Sequence, residues 1–117
     1  MGMDIRIIKE PITRAEAKEI GKEFYQNMVK GVADVERGII ALGGEYHMDA
    51  NTVLADDGSA QKNLWGFNLY FNKTNDADRI EYRALVNIRP IDGNSTAALQ
   101  DEGVKAAIKN IVDRLVP

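Results

Sequence analysis

The chain has 117 residues, with 15 Lys and Arg against 18 Asp and Glu, a net charge of −3, and no cysteine. That length fits one domain, residues 1–117, with an adequate core, and the missing cysteine excludes disulfides, thiolate metal sites and a cysteine nucleophile. The basic residues are scattered among acids, which argues against nucleic acid, and no apolar run approaches the ~18 residues of a membrane span.

The start, MGMDIRII, lacks the charge-then-apolar layout of a secretion signal. Arg6 stands where a myristoylation signal wants Ser or Thr after Gly2. Asn72-Lys73-Thr74 and Asn94-Ser95-Thr96 match the glycosylation triplet but read more simply as turns. The expectation is a cytoplasmic protein with no membrane or nucleic-acid partner.

Asp4 to Ile8 is a short β-branched run that reads as a strand, stopped by Glu10-Pro11. Thr13 and Glu16 fit a capping box. Ala17, Ile20 and Phe24 follow at helical spacing, which predicts an amphipathic helix over residues 14–25. Residues 28–35, MVKGVADV, carry three valines and an internal glycine, so a strand is favoured over a longer helix. Glu36-Arg37-Gly38 then turns the chain into a returning strand, Ile39 to Leu42. The alternative is one continuous helix over 13–42.

Gly43-Gly44 closes that strand, and Asp49 is expected to cap a short helix over 50–56 with Gly58 as its left-handed stop. Residues 64–71, LWGFNLYF, predict a strand. Residues 79–89, RIEYRALVNIR, alternate over Ile80, Tyr82, Ala84, Val86 and Ile88, which predicts another. Asp101 can cap a last helix whose Val104, Ile108, Ile111 and Leu115 form an apolar stripe. That stripe is expected to pack on the apolar face of the 79–89 strand. The fold class is α+β, a single antiparallel sheet with helices packed on it, in the order β-α-β-β-α-β-β-α.

Two places draw attention for chemistry. In GGEYHMD the only histidine has an acid two residues to either side. Extended, Glu45, His47 and Asp49 would point one way together, and imidazole with carboxylates can do acid-base work or hold a metal. The spacing matches no standard metal motif, and one histidine excludes a multi-histidine zinc site within one chain, so no metal is assigned. The plainer reading is a turn at Gly43-Gly44, His47 in a loop and Asp49 as a cap. A functional His47 should be partly covered and lie near an acid that raises its pKa. The second place is the sheet. Asn68, Asn87 and Arg89 share a face if 64–71 and 79–89 pair, beside the bare backbone of Gly66. Asparagine is depleted in strands, so two of them mid-strand invite a binding role, although a solvated outer face is the ordinary fate of such a surface. Arg89 is the expected anion clamp, since its planar fork suits carboxylate or phosphate.

Asp56-Asp57-Gly58-Ser59 reads as a helix stop rather than a metal site, because the remaining calcium-loop ligands are missing. Trp65 reads as core. Ser59 and Ser95 lack a nucleophile-elbow context.

The segments LGGEYHMD, DDGSAQKNLWGFNLY and VNIRPIDGN together resemble a family of small prokaryotic proteins classed only as a domain of unknown function. The shared features are GGE-x-H-x-D, DGS-x-Q-x-x-LWG-x-N and NIRP-x-x-GN. The resemblance implies a stand-alone cytoplasmic domain and supplies no reaction and no cofactor. It adds Asp49, Asp57, Ser59, Gln61, Trp65 and Asn94 to the residues of interest.

Two functions follow as expectations. In the first, a shallow pocket binds or processes a small polar or anionic ligand: Glu45 and His47 carry acid-base contacts, and Asn68, Asn87, Arg89, Gln61, Ser59 and Asn94 contact the ligand. In the second, the protein is a homodimeric interaction module without catalysis. Convergence of His47, Asn68, Asn87 and Arg89 in one cleft separates the two.

Overall fold

A computed structural model describes residues 4–117, so the reading of Met1-Gly2-Met3 lies outside the described residues. The elements are β1 (Arg6–Ile8), α1 (Arg14–Gly21), β2 (Met28–Asp34), β3 (Ile39–Leu42), α2 (His47–Asp56), β4 (Leu64–Tyr70), β5 (Ile80–Glu81) and α3 (Glu102–Leu115), with short 3₁₀ turns in the connections after α2. This is the α+β order read from the sequence. The five strands form one antiparallel sheet in the order β1-β3-β2-β4-β5.

Residues 28–42 form a hairpin and not a helix. Asp34 opposes Ile39, and the connection is tied by the Asp34 carboxylate, which accepts from the backbone N–H of Glu36 and of Arg37 at 2.9 Å each. Gly38 takes the left-handed conformation at φ 70° that ends the turn. Gly31, opposite Phe67 in β4, leaves the space occupied by the Phe67 ring; any Cβ there would run into it. A glycine inside a strand here serves packing.

The central strands are buried on both faces. On one side Ile20 of α1 and Ile108, Ile111, Val112 and Leu115 of α3 cluster with Ile40, Leu42, Phe67 and Leu69. On the other, Ala50 and Leu54 of α2 cluster with Val32, Ala41 and Leu64. The α3 stripe therefore packs on the sheet centre, with Ile80 and Tyr82 only at its margin. The β4 alternation is as expected, with Trp65, Phe67 and Leu69 on the first face and Leu64 on the second.

Strands β1, β2 and β4 differ from the sequence reading by only one or two residues at an end; the helices differ more. The helix expected over 14–25 ends at Gly21, where an added Cβ would lie 2.5 Å from the Met28 carbonyl of β2. Its N-terminal capping box is as read: Glu16 N–H donates to Thr13 Oγ1 at 3.0 Å and Thr13 N–H to Glu16 Oε1 at 3.1 Å. The second helix begins three residues early, at His47. Asp49 sits in its first turn and accepts from the Tyr46 N–H at 3.1 Å, instead of standing as the cap residue itself. Gly58, at φ 107°, stops that helix as expected.

The largest difference is the strand expected over 79–89. Only Ile80 and Glu81 pair with β4. Beyond them Ala84 N–H donates to the Ala97 carbonyl and Leu99 N–H to that of Tyr82, and Leu85–Asn87 coil into a 3₁₀ turn. Ala84 and Val86 settle over Gly66, where an added Cβ would meet the Ala84 methyl at 2.5 Å. The apolar alternation is consumed by this fold-over and not by a ladder.

Candidate functional site

The face of β4 that the sequence leaves polar is roofed by the first turn of α2 and by the 82–86 segment. Between them lies a cleft of about 550 Å³. Its floor is Lys30 and Asn68, cross-strand partners in β2 and β4. Tyr46, His47 and Met48 form one wall, and Arg83, Ala84, Leu85 and Val86 the other. Tyr46, Met48 and Leu85 are 62%, 53% and 78% exposed at the mouth.

His47 is 7% exposed. Its Nε2 lies 2.9 Å from the Phe67 carbonyl oxygen. That oxygen can only accept, so Nε2 carries the proton and donates, which leaves Nδ1 as an acceptor whenever the ring is neutral. Burial lowers the His47 pKa, with the Lys30 charge adding to it. The Phe67 hydrogen bond, the Asn68 side chain and the more distant Glu81 oppose this without prevailing. The sequence anticipated a covered histidine raised by an acid. The ring is covered, but desolvation outweighs the acid and the shift is downward.

A lowered pKa has a consequence for stability. The unfolded imidazole titrates near ~6.5 and the folded one below it. Between those values the unfolded state binds the extra proton, so stability is full above ~6.5 and falls as pH drops towards the folded pKa. The urea midpoint of the wild type is expected to fall more than that of His47→Gln between about pH 7.5 and about pH 5. Parallel slopes for the two proteins would contradict a ring buried in its neutral form.

Asn68 Nδ2 donates to Glu81 Oε1 at 2.9 Å and to the Arg83 carbonyl at 3.3 Å, and Tyr70 Oη donates to the same Glu81 oxygen at 2.9 Å. Asn87 is fully buried beneath the wall. Its Oδ1 accepts from Gly66 N–H at 2.8 Å and its Nδ2 donates to Gly66 O at 3.0 Å, so the side-chain amide occupies the place of a neighbouring strand. Asn94 holds the following loop, its Nδ2 donating to the Asn87 carbonyl at 2.9 Å and its Oδ1 accepting from Gln100 N–H at 2.9 Å.

The remaining sequence candidates lie elsewhere. Arg89 stacks on Trp65, its guanidinium 3.6 Å from the ring centroid, and Nη1 donates to the Gln61 carbonyl at 2.7 Å. Asp92 stands 3.6 Å from Arg89 Nε, near enough for charge attraction but too long for a hydrogen bond. Gln61 pairs amide to amide with Asn51 at 2.7 and 2.9 Å. Ser59 Oγ accepts from Arg37 Nη1 at 2.8 Å, and Asp57 pairs with Arg37 Nη2 at 2.7 Å. Glu45 is exposed and contributes its backbone carbonyl to the Tyr25 hydroxyl at 2.6 Å. The structure thus brings His47 and Asn68 together, sets Asn87 behind them, and does not bring Arg89, Gln61, Ser59, Asn94 or Glu45 into the cleft. Among the described residues no group of three or more His, Asp and Glu could hold a metal ion.

Sequence reasoning missed Lys30 and Arg83. Lys30 is the lone charge inside an otherwise apolar strand end, a signal that was legible. Arg83 falls on the polar side of the alternation read over 79–89, beyond the two residues that do form a strand. Neither side chain is in an ion pair among the described residues.

Among the described residues no helix is long and apolar enough to cross a membrane. Comparison with curated proteins and with solved structures finds no match. A family described as "Protein of unknown function (DUF5674)" matches residues 6–115, the whole sheet and all three helices, and the chain belongs to that family.

Proposed function

We propose that this protein binds a small anionic ligand with an apolar body in the cleft between α2 and the 82–86 segment. The observation that carries the reading is the pair of cations, Lys30 and Arg83, which line one cleft and have no carboxylate partner among the described residues. Unpaired charge beside a partly apolar wall favours an anion that brings its own hydrocarbon. Lys30 Nζ also lies 5.5 Å from the centroid of the Tyr25 ring, a contact that steadies the ammonium without neutralising it.

Titration calorimetry with short-chain carboxylates is expected to show saturable binding that weakens with salt. Lys30→Met with Arg83→Met should reduce affinity by roughly tenfold or more, since each charge-assisted contact is worth ~1.5–3 kcal/mol. Unchanged affinity in that double variant, or no binding by the wild type, counts against the reading. The exposed Tyr46, Met48 and Leu85 at the mouth would also suit a second copy of the chain. Sedimentation equilibrium in the same buffers separates the two, because a dimer closed over this mouth would exclude the ligand.

A further inference from the structure

Asn68 is 9% exposed, and its Oδ1 is buried with no hydrogen-bond partner. The amide cannot be turned round to relieve this. Its Nδ2 faces a carboxylate and a carbonyl, Glu81 Oε1 and Arg83 O, and both can only accept. The His47 ring, whose charged form the Asn68 side chain favours, keeps its Nε2–H on the Phe67 carbonyl at 2.9 Å. A buried acceptor left without a donor is costly and uncommon, and this one belongs to a residue that lines the cleft.

We propose that the ligand is a hydroxycarboxylate, an acid with a hydroxyl on the carbon next to its carboxyl group and an apolar chain, and that its hydroxyl donates to Asn68 Oδ1. The proposal rests on the anion reading above. Three observations select this class. The acceptor and the cations adjoin: Lys30 is the register partner of Asn68, and cross-strand Cβ atoms stand ~4.5–5.5 Å apart. Arg83 is held to the same Asn68 amide through its carbonyl. Donor and carboxylate must therefore be close neighbours in the ligand. A hydroxyl is preferred to an ammonium because a third positive charge beside Lys30 and Arg83 would be repelled. The hydrocarbon has Ala84, Leu85 and Val86 to lie against.

The test uses three probes of one shape: leucate (the hydroxy acid with leucine's side chain), isocaproate (which lacks the hydroxyl) and leucine itself. Calorimetry on the unmodified protein should rank leucate first. It should exceed isocaproate by roughly tenfold or more, since a site built to pair a hydroxyl penalises an analogue without one. In Asn68→Ala, with its fold checked by circular dichroism, the ratio of leucate to isocaproate affinity should fall to about one, whatever loss the two probes share; a ratio kept at its wild-type value would overturn the hydroxyl assignment. Equal affinities for leucate and isocaproate in the wild type would overturn the hydroxyl assignment and leave the anion reading standing. Tightest binding by leucine would overturn the neutral donor. No binding by any of the three would remove both readings together.

Discussion

Asn87→Ala is expected to lower the unfolding free energy by about 2–4 kcal/mol, because it strands two buried backbone groups at ~1–3 kcal/mol each. Gly66 N–H and Gly66 O both bond to this one side chain, at 2.8 and 3.0 Å, and alanine can replace neither contact. The Asn87 carbonyl is also held by Asn94 at 2.9 Å, so the loop beyond is anchored through the same residue. Urea unfolding measures the loss directly. Because Asn87 fixes the segment carrying Ala84 and Val86 over Gly66, the variant should also bind carboxylates more weakly. A stability change of only a few tenths of a kcal/mol would mean that the amide does not act as a strand substitute.

Ile108→Ala is expected to cost about 2–5 kcal/mol, the usual range for truncating a buried isoleucine. Ile108 is fully buried in the cluster that joins α1 and α3 to β2, β3 and β4. The cavity would open at the centre of the larger core, far from water that might fill it favourably, and the rigid sheet beneath cannot collapse into it. Ile88→Ala offers the contrast. That side chain was read as part of a buried stripe but is 44% exposed, so its loss should be well under that of Ile108. Similar losses at both positions would place α3 at the periphery and invalidate the layer arrangement.

The element order was legible because most segments obey one dominant local rule. The capping box at Thr13, the Asp101 cap, the glycine stop at Gly58 and the valine-rich run before Glu36 each act within a few residues. What failed was long-range. The period-two pattern over 80–88 is real, but its members go to different places: Ile80 and Tyr82 to the α3 cluster, Ala84 and Val86 over Gly66, and Ile88 outward. Nothing local announces that an asparagine seven residues beyond Ile80 will take over the ladder. The site shows the same division. His47 and Asn68 stood out by type. Lys30 and Arg83 acquire meaning only when β2 and β4 pair and the chain folds back across them. Arg89 was chosen for its chemistry, and the structure spends that chemistry on Trp65.

The side-chain amide at Gly66 also bears on self-association. Every other residue along the outer side of β4 presents a backbone N–H that could template a foreign strand. Here each is occupied: Leu64 N–H by the Gln61 carbonyl, Gly66 N–H by Asn87, Asn68 within the short ladder to Glu81, and Tyr70 N–H by the Arg79 carbonyl at 2.7 Å. A strand of seven residues, apolar enough to nucleate aggregation, is thus sealed by a neighbour of only two residues plus a few irregular contacts. The irregular stretch that defeated the sequence pattern acts as a gatekeeper. It shields this side of the sheet from pairing with a foreign strand, and it leaves the face behind it free to be shaped for binding.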